Sequence, residues 1–395
     1  MLSSTTLDFV RQHWNDDPLQ LLLQRGRYPD VDMNMAAQQI EGRRQARSKW
    51  PTLYEHPDIV YPPKINREQS SSEATARLKA LIVSQQGRHG SLADLTGGFG
   101  IDTLEFAEYF AQTDYVEQDS QLTEIAHHNF QVMGRNNVTC HCADGIEWIK
   151  KERRHFDAIY LDPARRDSHG RKVQAFEDCT PNILDNLALL RDSCDTLIVK
   201  ASPMIDIHTA SKQLDDVEEI YIVALSGECK EVLFVVRRPK GEVRFHCIDI
   251  IGENTHHLTF TLSEESASEV RFTQEIGKYL YEPNAALMKG GAFRSICRWF
   301  PVEKLARNTH LYSSQEWLPE FPGRSFEVLK TLPLTAKAIG LNLPGGRCHL
   351  LCKNYVMSTA ELQKRLRLKE GGDLHLIATR LGEHLVGILC KKIQE

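Results

Sequence analysis

A glycine-rich turn between a short apolar strand and a helix constrains the fold of this chain more than any other feature. The strand is predicted over residues 92–95, and the turn over residues 96–100 leads into a helix that begins near Asp102. Glycine has no Cβ, so it adopts positive φ values and lets a ligand approach bare backbone. The N-terminus of the helix presents unpaired N–H groups that favour an anionic ligand. Such a turn predicts a nucleotide-binding loop or, without a ligand, a structural turn.

Strands and helices alternate after this turn. Further strands are predicted at residues 115–116, 138–142, 156–161 and 196–199, with helices at 121–133 and 182–190. Alternation with short connections predicts a parallel sheet that is covered on both faces. Residues 220–225 and 231–236 then form two strands joined by five residues, and so short a loop joins antiparallel neighbours. The sequence therefore predicts an α/β fold with a Rossmann-like, seven-stranded sheet whose last strand is antiparallel.

Length and hydropathy exclude several other classes of protein. A chain of 395 residues is too long for one ordinary core and predicts two to four domains. No apolar run approaches the ~20 residues of a membrane span. The first residues lack the basic and apolar regions of a signal peptide. We therefore expect a cytoplasmic protein that does not contact a membrane.

The ten cysteines are scattered and form no C-x-x-C motif. Cys140 and Cys142 alternate on a predicted strand and share one of its faces, while His141 points the other way. Buried, reduced thiols of a cytosolic protein are favoured over a zinc site at this pair. No metal is predicted.

Charge is distributed unevenly along the chain. The net charge of −5 argues against a strongly electrostatic nucleic-acid binder. From residue 323 onward, however, 12 lysines and arginines face 6 acidic residues, so this region carries +6 and the remainder −11. Within it, Lys364, Arg365, Arg367 and Lys369 are candidates for contact with RNA phosphates.

Residues 94–100 resemble the nucleotide loop of the class I S-adenosylmethionine (SAM) methyltransferases. The family pattern is an acid followed by G-x-G-x-G; here Asp94 supplies the acid and Thr96 replaces the first glycine. The dinucleotide fingerprint G-x-G-x-x-G fails because no third glycine follows Gly100. A sheet that ends in one antiparallel strand is also typical of the family. In a dehydrogenase, the corresponding half of the nucleotide-binding domain would instead add another helix. A nicotinamide-dependent oxidoreductase is therefore disfavoured.

The resemblance implies SAM as the cofactor. Two acids compete for its ribose, Glu117 and Asp119, and the family pattern selects Glu117 because it precedes Ala126 by nine positions; Asp119 then caps the next helix. Asp144 matches the family position that accepts from the adenine amino group and also suits a helix N-cap. The expected cofactor contacts are Asp94, Thr96, Gly97, Gly98, Gly100, Glu117, Gln118, Asp144 and Gly145.

Residues 69–73 precede the helix that leads into the glycine turn. Their serines suit helix capping, which needs no ligand, and they also lie where they could reach the cofactor. Both interpretations of this segment stay open on the sequence alone.

The fourth strand ends in Asp162-Pro163-Ala164-Arg165-Arg166, where class I enzymes carry residues that face the methyl acceptor. Asp-Pro resembles the start of the motif for methylation of exocyclic nitrogens, although Ala164 and Arg165 replace its Pro-aromatic half. Asp162 and Pro163 are therefore the expected catalytic residues.

Two further interpretations of this motif arise. Asp-Pro-Ala-Arg also resembles a variant among uracil-5 RNA methyltransferases, but these need a cysteine nucleophile after the fifth strand, where residues 200–204 have none. That class is therefore disfavoured. Arg165 and Arg166 suit either a phosphate clamp or structural pairing with neighbouring carboxylates.

The C-terminal half resembles that of the bacterial THUMP-like-domain methyltransferases, on the phrases at residues 281–287, 304–312, 321–326 and 366–372. The resemblance implies a small ferredoxin-like domain at 276–322 and a THUMP-like domain at 323–395, the latter related in shape to RNA-binding modules. They would follow an N-terminal helical segment (1–75), the methyltransferase domain (76–240) and a β-hairpin connection (241–275).

Taken together, the resemblance implies a SAM-dependent methyltransferase that acts on RNA, either tRNA or rRNA, with a base amino nitrogen as the favoured acceptor. Two alternatives remain. One is a catalytically silent module that binds SAM or RNA, and the other is a methyltransferase for a protein or a small molecule.

Overall fold

The computed structural model of the protein describes residues 3–164, 176–237 and 241–393. The chain divides into two compact units, residues 1–218 with 232–241 and residues 219–231 with 242–395. Within the described ranges, every helix is too short or too polar to cross a membrane.

The first unit contains the predicted alternation of helices and strands. Its helices are α1 (Ser4–Gln12), α2 (Pro18–Leu23), α3 (Met33–Lys49), α4 (Pro51–Glu55), α5 (Lys64–Gln69), α6 (Glu73–Ser84), α7 (Ile101–Phe106), α8 (Ser120–Val132), α9 (Gly145–Glu152), α10 (Ile183–Asp192) and α11 (Ile207–Leu214). Its parallel strands are β1 (Ser91–Asp94), β2 (Gln112–Glu117), β3 (Val138–Cys142), β4 (Phe156–Leu161) and β5 (Cys194–Ala201).

These strands lie in the order β3-β2-β1-β4-β5, with all neighbours parallel. A hairpin follows, formed by β6 (Val217–Leu225) and β7 (Glu228–Val236), and β7 lies antiparallel beside β5. The predicted α/β fold with an antiparallel final strand is therefore confirmed. Because parallel strands end at the same edge of a sheet, the residues that follow β1, β2, β3 and β4 converge there.

The hairpin turn and the start of β2 are among the predicted boundaries that differ from the structure. The hairpin turn is Ser226-Gly227 alone, and both residues adopt positive φ as two-residue hairpin turns require. Strand β2 begins at Gln112, three residues before the predicted start, although it includes the acidic Asp114. That side chain is buried, and its carboxylate contacts His141 (2.8 Å) and Arg154 (2.7 Å), so a charged residue is accommodated inside the strand.

The N-terminal helices share a core with the glycine turn. The fully buried indole of Trp50 packs edge-on against Phe99, with ring centroids 5.3 Å apart, and Tyr61 contacts the same ring. Trp50 Nε1 also donates to the carbonyl of Ser71 (2.8 Å). These contacts place the chain between α5 and α6 beside the turn.

Strand β6 also pairs in parallel with β8 (Arg244–Ile251), and β8 forms a hairpin with β9 (Asn254–Thr261). The sheet order is therefore β3-β2-β1-β4-β5-β7-β6-β8-β9, nine strands where the sequence predicts seven, because this hairpin pairs with the sheet. The remaining elements belong to the second unit. Its helices are α12 (Leu262–Ala267), α13 (Ala285–Gly290), α14 (Ser295–Trp299), α15 (Ala336–Asn342) and α16 (Thr359–Leu366). Its further strands are β10 (Tyr279–Pro283), β11 (Glu303–Ala306), β12 (Thr309–Ser314), β13 (Gly323–Leu332), β14 (His349–Cys352), β15 (Leu374–Leu381) and β16 (His384–Lys392).

One seven-stranded sheet of this unit contains both regions expected to be C-terminal domains. Its order is β11-β12-β10-β13-β16-β15-β14, and only β14 and β15 are parallel. The long strand β13 pairs with β10 on one side and with β16 on the other. The ferredoxin-like and THUMP-like regions therefore meet in a continuous sheet.

Candidate active site

A cavity of about 810 Å³ lies at the carboxyl edge of the parallel strands of the first unit. The eleven residues that the sequence predicts for the site all line it: Asp94, Thr96, Gly97, Gly98, Gly100, Glu117, Gln118, Asp144, Gly145, Asp162 and Pro163. The fold thus brings together segments that lie up to 69 residues apart in the chain.

The glycine turn has a backbone that only glycine adopts readily. Gly98 has φ of +54° and Gly100 has φ of +83°. A Cβ on Gly100 would also lie 2.8 Å from the ring of Phe130. A Cβ on Gly98 would make only an ordinary contact, 3.9 Å from the carbonyl oxygen of Thr96, so at that position the backbone conformation alone selects glycine.

Asp94 orders the glycine turn through two hydrogen bonds. Its carboxylate is fully buried and accepts from the backbone N–H of Thr96 (3.1 Å) and the hydroxyl of Thr103 (2.6 Å). Burial raises the pKa of Asp94 to about 7. The Thr96 hydroxyl in turn accepts from the backbone N–H of Asp162 (2.6 Å), which ties the turn to the end of β4.

Glu117 ends β2 and faces the turn. One of its carboxylate oxygens accepts from the N–H of Gly98 and the other from the N–H of Asp119, each at 2.9 Å. A carboxylate has about four acceptor positions, so capacity remains for the two hydroxyls of a ribose. Asp119 accepts from Gln121 N–H (2.8 Å) and is the N-cap of α8, as the sequence predicts.

Asp144 occupies the corresponding place after β3. It is the N-cap of α9 and accepts from the N–H of Glu147 at 2.9 Å. Its second oxygen is left for a donor such as an adenine amino group. The predicted capping role of Asp144 is thus present, while its predicted contact with adenine remains a proposal.

The two acids after β2 provide a matched test of the ribose assignment. Glu117→Gln should weaken SAM binding at least tenfold, about 1.4 kcal/mol, because the amide replaces an acceptor of ribose hydroxyls with a donor. Asp119→Asn keeps the helix cap and should change the affinity less than twofold. Calorimetric titration with SAM measures both. A larger loss in Asp119→Asn than in Glu117→Gln would contradict the assignment.

A buried ionic network, which the sequence did not predict, lies against the same cavity. Lys200, at the end of β5, places its Nζ 2.6 Å from Oδ2 of Asp162. The same ammonium lies 3.4 Å from the hydroxyl of Ser71. The Lys200 side chain is only 5% exposed and that of Asp162 is 25% exposed, so the pair extends from the protein interior to the cavity.

The network continues to the first turn of α7. The Ser71 hydroxyl donates to Asp102 (3.0 Å), which also accepts from the Tyr160 hydroxyl (2.9 Å) and pairs with Lys79 (3.2 Å). Burial raises the pKa of Asp102, but the ammonium groups of Lys79 and Lys200, together with the hydrogen bonds from the two hydroxyls, outweigh burial, so the pKa lies below its usual value. Asp102 is therefore held as a carboxylate.

The sequence indicates that Lys79 and Lys200 are unusual, because each lies at a position where the pattern predicts a buried residue. Lys79 lies on the buried face of α6 and is fully buried, whereas Leu81 on the same helix is 43% exposed. Lys200 ends a run of apolar strand residues. A lysine in such a position predicts a buried acidic partner, because a buried ammonium is costly unless it is paired.

The capping interpretation of residues 69–73 is confirmed for one residue, while a contact with the cofactor stays a prediction for the others. Ser72 is the N-cap of α6 and accepts from the N–H of Thr75, as expected for capping. Gln69, Ser70 and Ser71 line the cavity instead.

The structure adds little to the interpretations of Arg165 and Arg166 and of a metal site. Arg165 and Arg166 lie outside the described residues. Among residues 3–164, 176–237 and 241–393, no group of three or more metal-ligating side chains is placed to hold a metal ion.

Comparison with known proteins identifies the C-terminal regions first. Residues 279–322 match a ferredoxin-like domain model and residues 323–392 match a THUMP domain-like model. The chain is 22% identical over 339 residues to an uncharacterized SAM-dependent methyltransferase of Mycobacterium tuberculosis, covering 82% of this chain and 87% of the relative.

The full length matches a solved structure. A crystal structure of a protein from Porphyromonas gingivalis W83, described as a methyltransferase, superposes with a TM-score of 0.84 at 28% identity and covers 100% of both chains. These matches show a SAM-dependent methyltransferase with ferredoxin-like and THUMP-like C-terminal regions. Its cofactor is SAM, and the cavity fits that molecule. The open glycine turn would hold the methionine end, Glu117 the ribose and Asp144 the adenine.

Proposed function

We propose that this methyltransferase transfers the methyl group of SAM to an exocyclic amino nitrogen of a base in RNA, in tRNA or rRNA. The observation that carries the proposal is the position of Asp162. Its partly exposed carboxylate follows β4 and lines the same cavity as the glycine turn. An acceptor held there would lie next to the cofactor. When bound, SAM supplies a methyl group activated for transfer by the positive sulfur.

Asp162 has the chemistry that an amino acceptor requires. A base amino group is neutral and its lone pair must turn toward the methyl group, so a carboxylate that accepts one N–H fixes the reactive orientation. Negative charge beside the nitrogen also stabilises the positive charge that develops during transfer. Pro163 restricts the backbone after Asp162, and a neighbouring carbonyl would accept the second N–H. No strong general base is needed.

The THUMP-like domain and its charge support RNA as the acceptor. Lys364, Arg365, Arg367 and Lys369 are exposed at the C-terminal end of α16 and just beyond it. Arg347 lies near this group, because a backbone bridge pairs it with Lys369. The resemblance to RNA-binding modules and this basic cluster both indicate phosphate contacts.

Labelling with tritiated SAM tests the acceptor class. The purified protein is incubated with total RNA and, separately, with total protein from cells that lack the gene. We expect tritium in RNA, with a rate that falls steeply as salt rises. Label in protein or in a small-molecule fraction, with none in RNA, would contradict the RNA assignment and support the corresponding alternative.

Charge reversal tests the basic cluster. Lys364→Glu combined with Arg365→Glu should raise KM for RNA about tenfold or more and leave the affinity for SAM unchanged, because lost phosphate contacts weaken RNA binding alone. Arg25→Glu with Arg27→Glu, a matched pair of exposed arginines near the N-terminus, is the control. Equal values of KM in the two double variants would show that the cluster does not bind RNA.

A further inference from the structure

Lys200 is the least expected residue of the site. It follows an apolar run in β5, and its side chain is nearly inaccessible to water. Its register beside β4 places it next to Asp162, since Leu161 pairs with Val199 in the parallel ladder. A neutral side chain of similar length, such as methionine, would fill the same volume without the cost of burying a charge. The charge of Lys200 therefore calls for an explanation.

The contact with Asp162 supplies that explanation. The 2.6 Å separation between Nζ and Oδ2 is that of a short, charge-assisted hydrogen bond. Such a bond fixes the rotation of the carboxylate. With Oδ2 held by Lys200, Oδ1 is left to accept an N–H from a molecule in the cavity. In the described part of the chain, Oδ1 has no hydrogen-bond partner of its own.

Lys200 is itself held in place by the cofactor side of the site. Its ammonium contacts Ser71, which donates to Asp102 and accepts from Lys79 at 2.9 Å. The charged groups around Asp162 thus come from several elements: Lys200 on β5, Lys79 on α6, Asp102 on α7 and Asp94 on β1. Movement of Lys200 would require this network to rearrange, so the lysine is a rigid support.

We propose that Lys200 is a positioning residue that keeps the Asp162 side chain oriented to accept an N–H of the methyl acceptor. This inference rests on the proposed function, because it assigns to Asp162 the acceptor contact described above. It predicts that Lys200 acts on turnover through Asp162 and does not contribute to cofactor affinity.

A double-mutant cycle in turnover tests the inference. With total RNA as acceptor, Lys200→Met should lower kcat at least tenfold and leave the Kd for SAM within twofold of the wild-type value. Lys200→Arg, which keeps the charge, should retain more activity than Lys200→Met. In the Asp162→Asn background, Lys200→Met should change kcat less than twofold, because the group that it positions is already lost. Wild-type kcat in Lys200→Met, or the full tenfold loss in the Asp162→Asn background, would overturn the inference.

Melting temperatures provide a readout that needs no acceptor. Lys200→Met and Asp162→Asn should each lower Tm by about 6 °C or more, because each breaks the short ion pair between a buried ammonium and a partly exposed carboxylate. The Tm of the double variant should fall by less than the sum of the two single decreases. Additive decreases in Tm would show that Lys200 and Asp162 do not act as a pair. Lys304→Met removes another buried lysine, from the second unit, and should lower Tm without lowering kcat.

If RNA accepts no methyl group from the wild-type protein, the proposed function fails, while the Tm cycle still decides whether Lys200 and Asp162 act as a pair.

Discussion

Gly98→Val is expected to abolish SAM binding while the protein remains folded. Gly98 has φ of +54°, a conformation that a β-branched residue adopts only with strain. A Cβ at this position makes only an ordinary contact, so the substitution does not disturb the core. The valine must instead move the backbone out of the turn, and the N–H of Gly98 would leave the carboxylate of Glu117. Calorimetry should then show at least a hundredfold loss of affinity, about 2.7 kcal/mol.

The matched control is Gly134→Val. Gly134 also has positive φ (+69°), with open space around its Cβ position, but it follows α8 and does not line the cavity. Its valine variant should show a similar decrease in Tm and an unchanged Kd for SAM. If Gly98→Val bound SAM as tightly as Gly134→Val, the turn would be structural and the cofactor would lie elsewhere.

Asp162→Asn is expected to remove turnover and preserve SAM binding. The asparagine has nearly the same shape but carries no charge, so it neither orients an amino group as firmly nor stabilises the positive charge that develops on nitrogen. We expect kcat for methyl transfer to RNA to fall about a hundredfold or more. The Kd for SAM should stay within about threefold, since the assigned cofactor contacts follow β1, β2 and β3, whereas Asp162 follows β4.

KM for RNA, measured on the same variant, separates an effect on methyl transfer from an effect on RNA binding. KM for RNA should remain close to that of the wild-type protein, because the proposed phosphate contacts lie in the THUMP-like domain and not at Asp162. An unchanged kcat in Asp162→Asn would show that this carboxylate is not at the acceptor. A lost affinity for SAM would instead place Asp162 among the cofactor ligands.

The fold was predictable because its signals are local. Strand β3 has the predicted bounds, Val138–Cys142, and α8 runs from Ser120 to Val132 against a predicted 121–133. Here the hydrophobic pattern and the N-cap Asp119 define the elements. The glycine turn and the acids after successive strands were found for a related reason. Parallel strands deliver the residues that follow them to one edge, so their convergence follows from topology alone.

The ionic network was not predictable in the same way. Lys200 and Ser71 are 129 residues apart, and Lys200 and Asp162 are 38 apart. Periodicity shows that a lysine interrupts an apolar pattern, but the identity of its partner depends on tertiary packing. The prediction places the start of β2 too late for the same reason, because an aspartate is unusual in a strand and the contacts of Asp114 with His141 and Arg154 depend on tertiary packing. Buried charges are thus where a single sequence is least informative.

In the proposed reaction, the acceptor is an amino nitrogen of an RNA base held at Asp162. The most direct measurement is mass spectrometry of nucleosides after RNA from cells lacking the gene has been methylated by the purified protein and digested. We predict one new nucleoside that carries its methyl group on an exocyclic nitrogen, formed by the wild-type protein and reduced about a hundredfold with Asp162→Asn. A methyl group on a ribose oxygen or on a pyrimidine carbon would contradict this proposal.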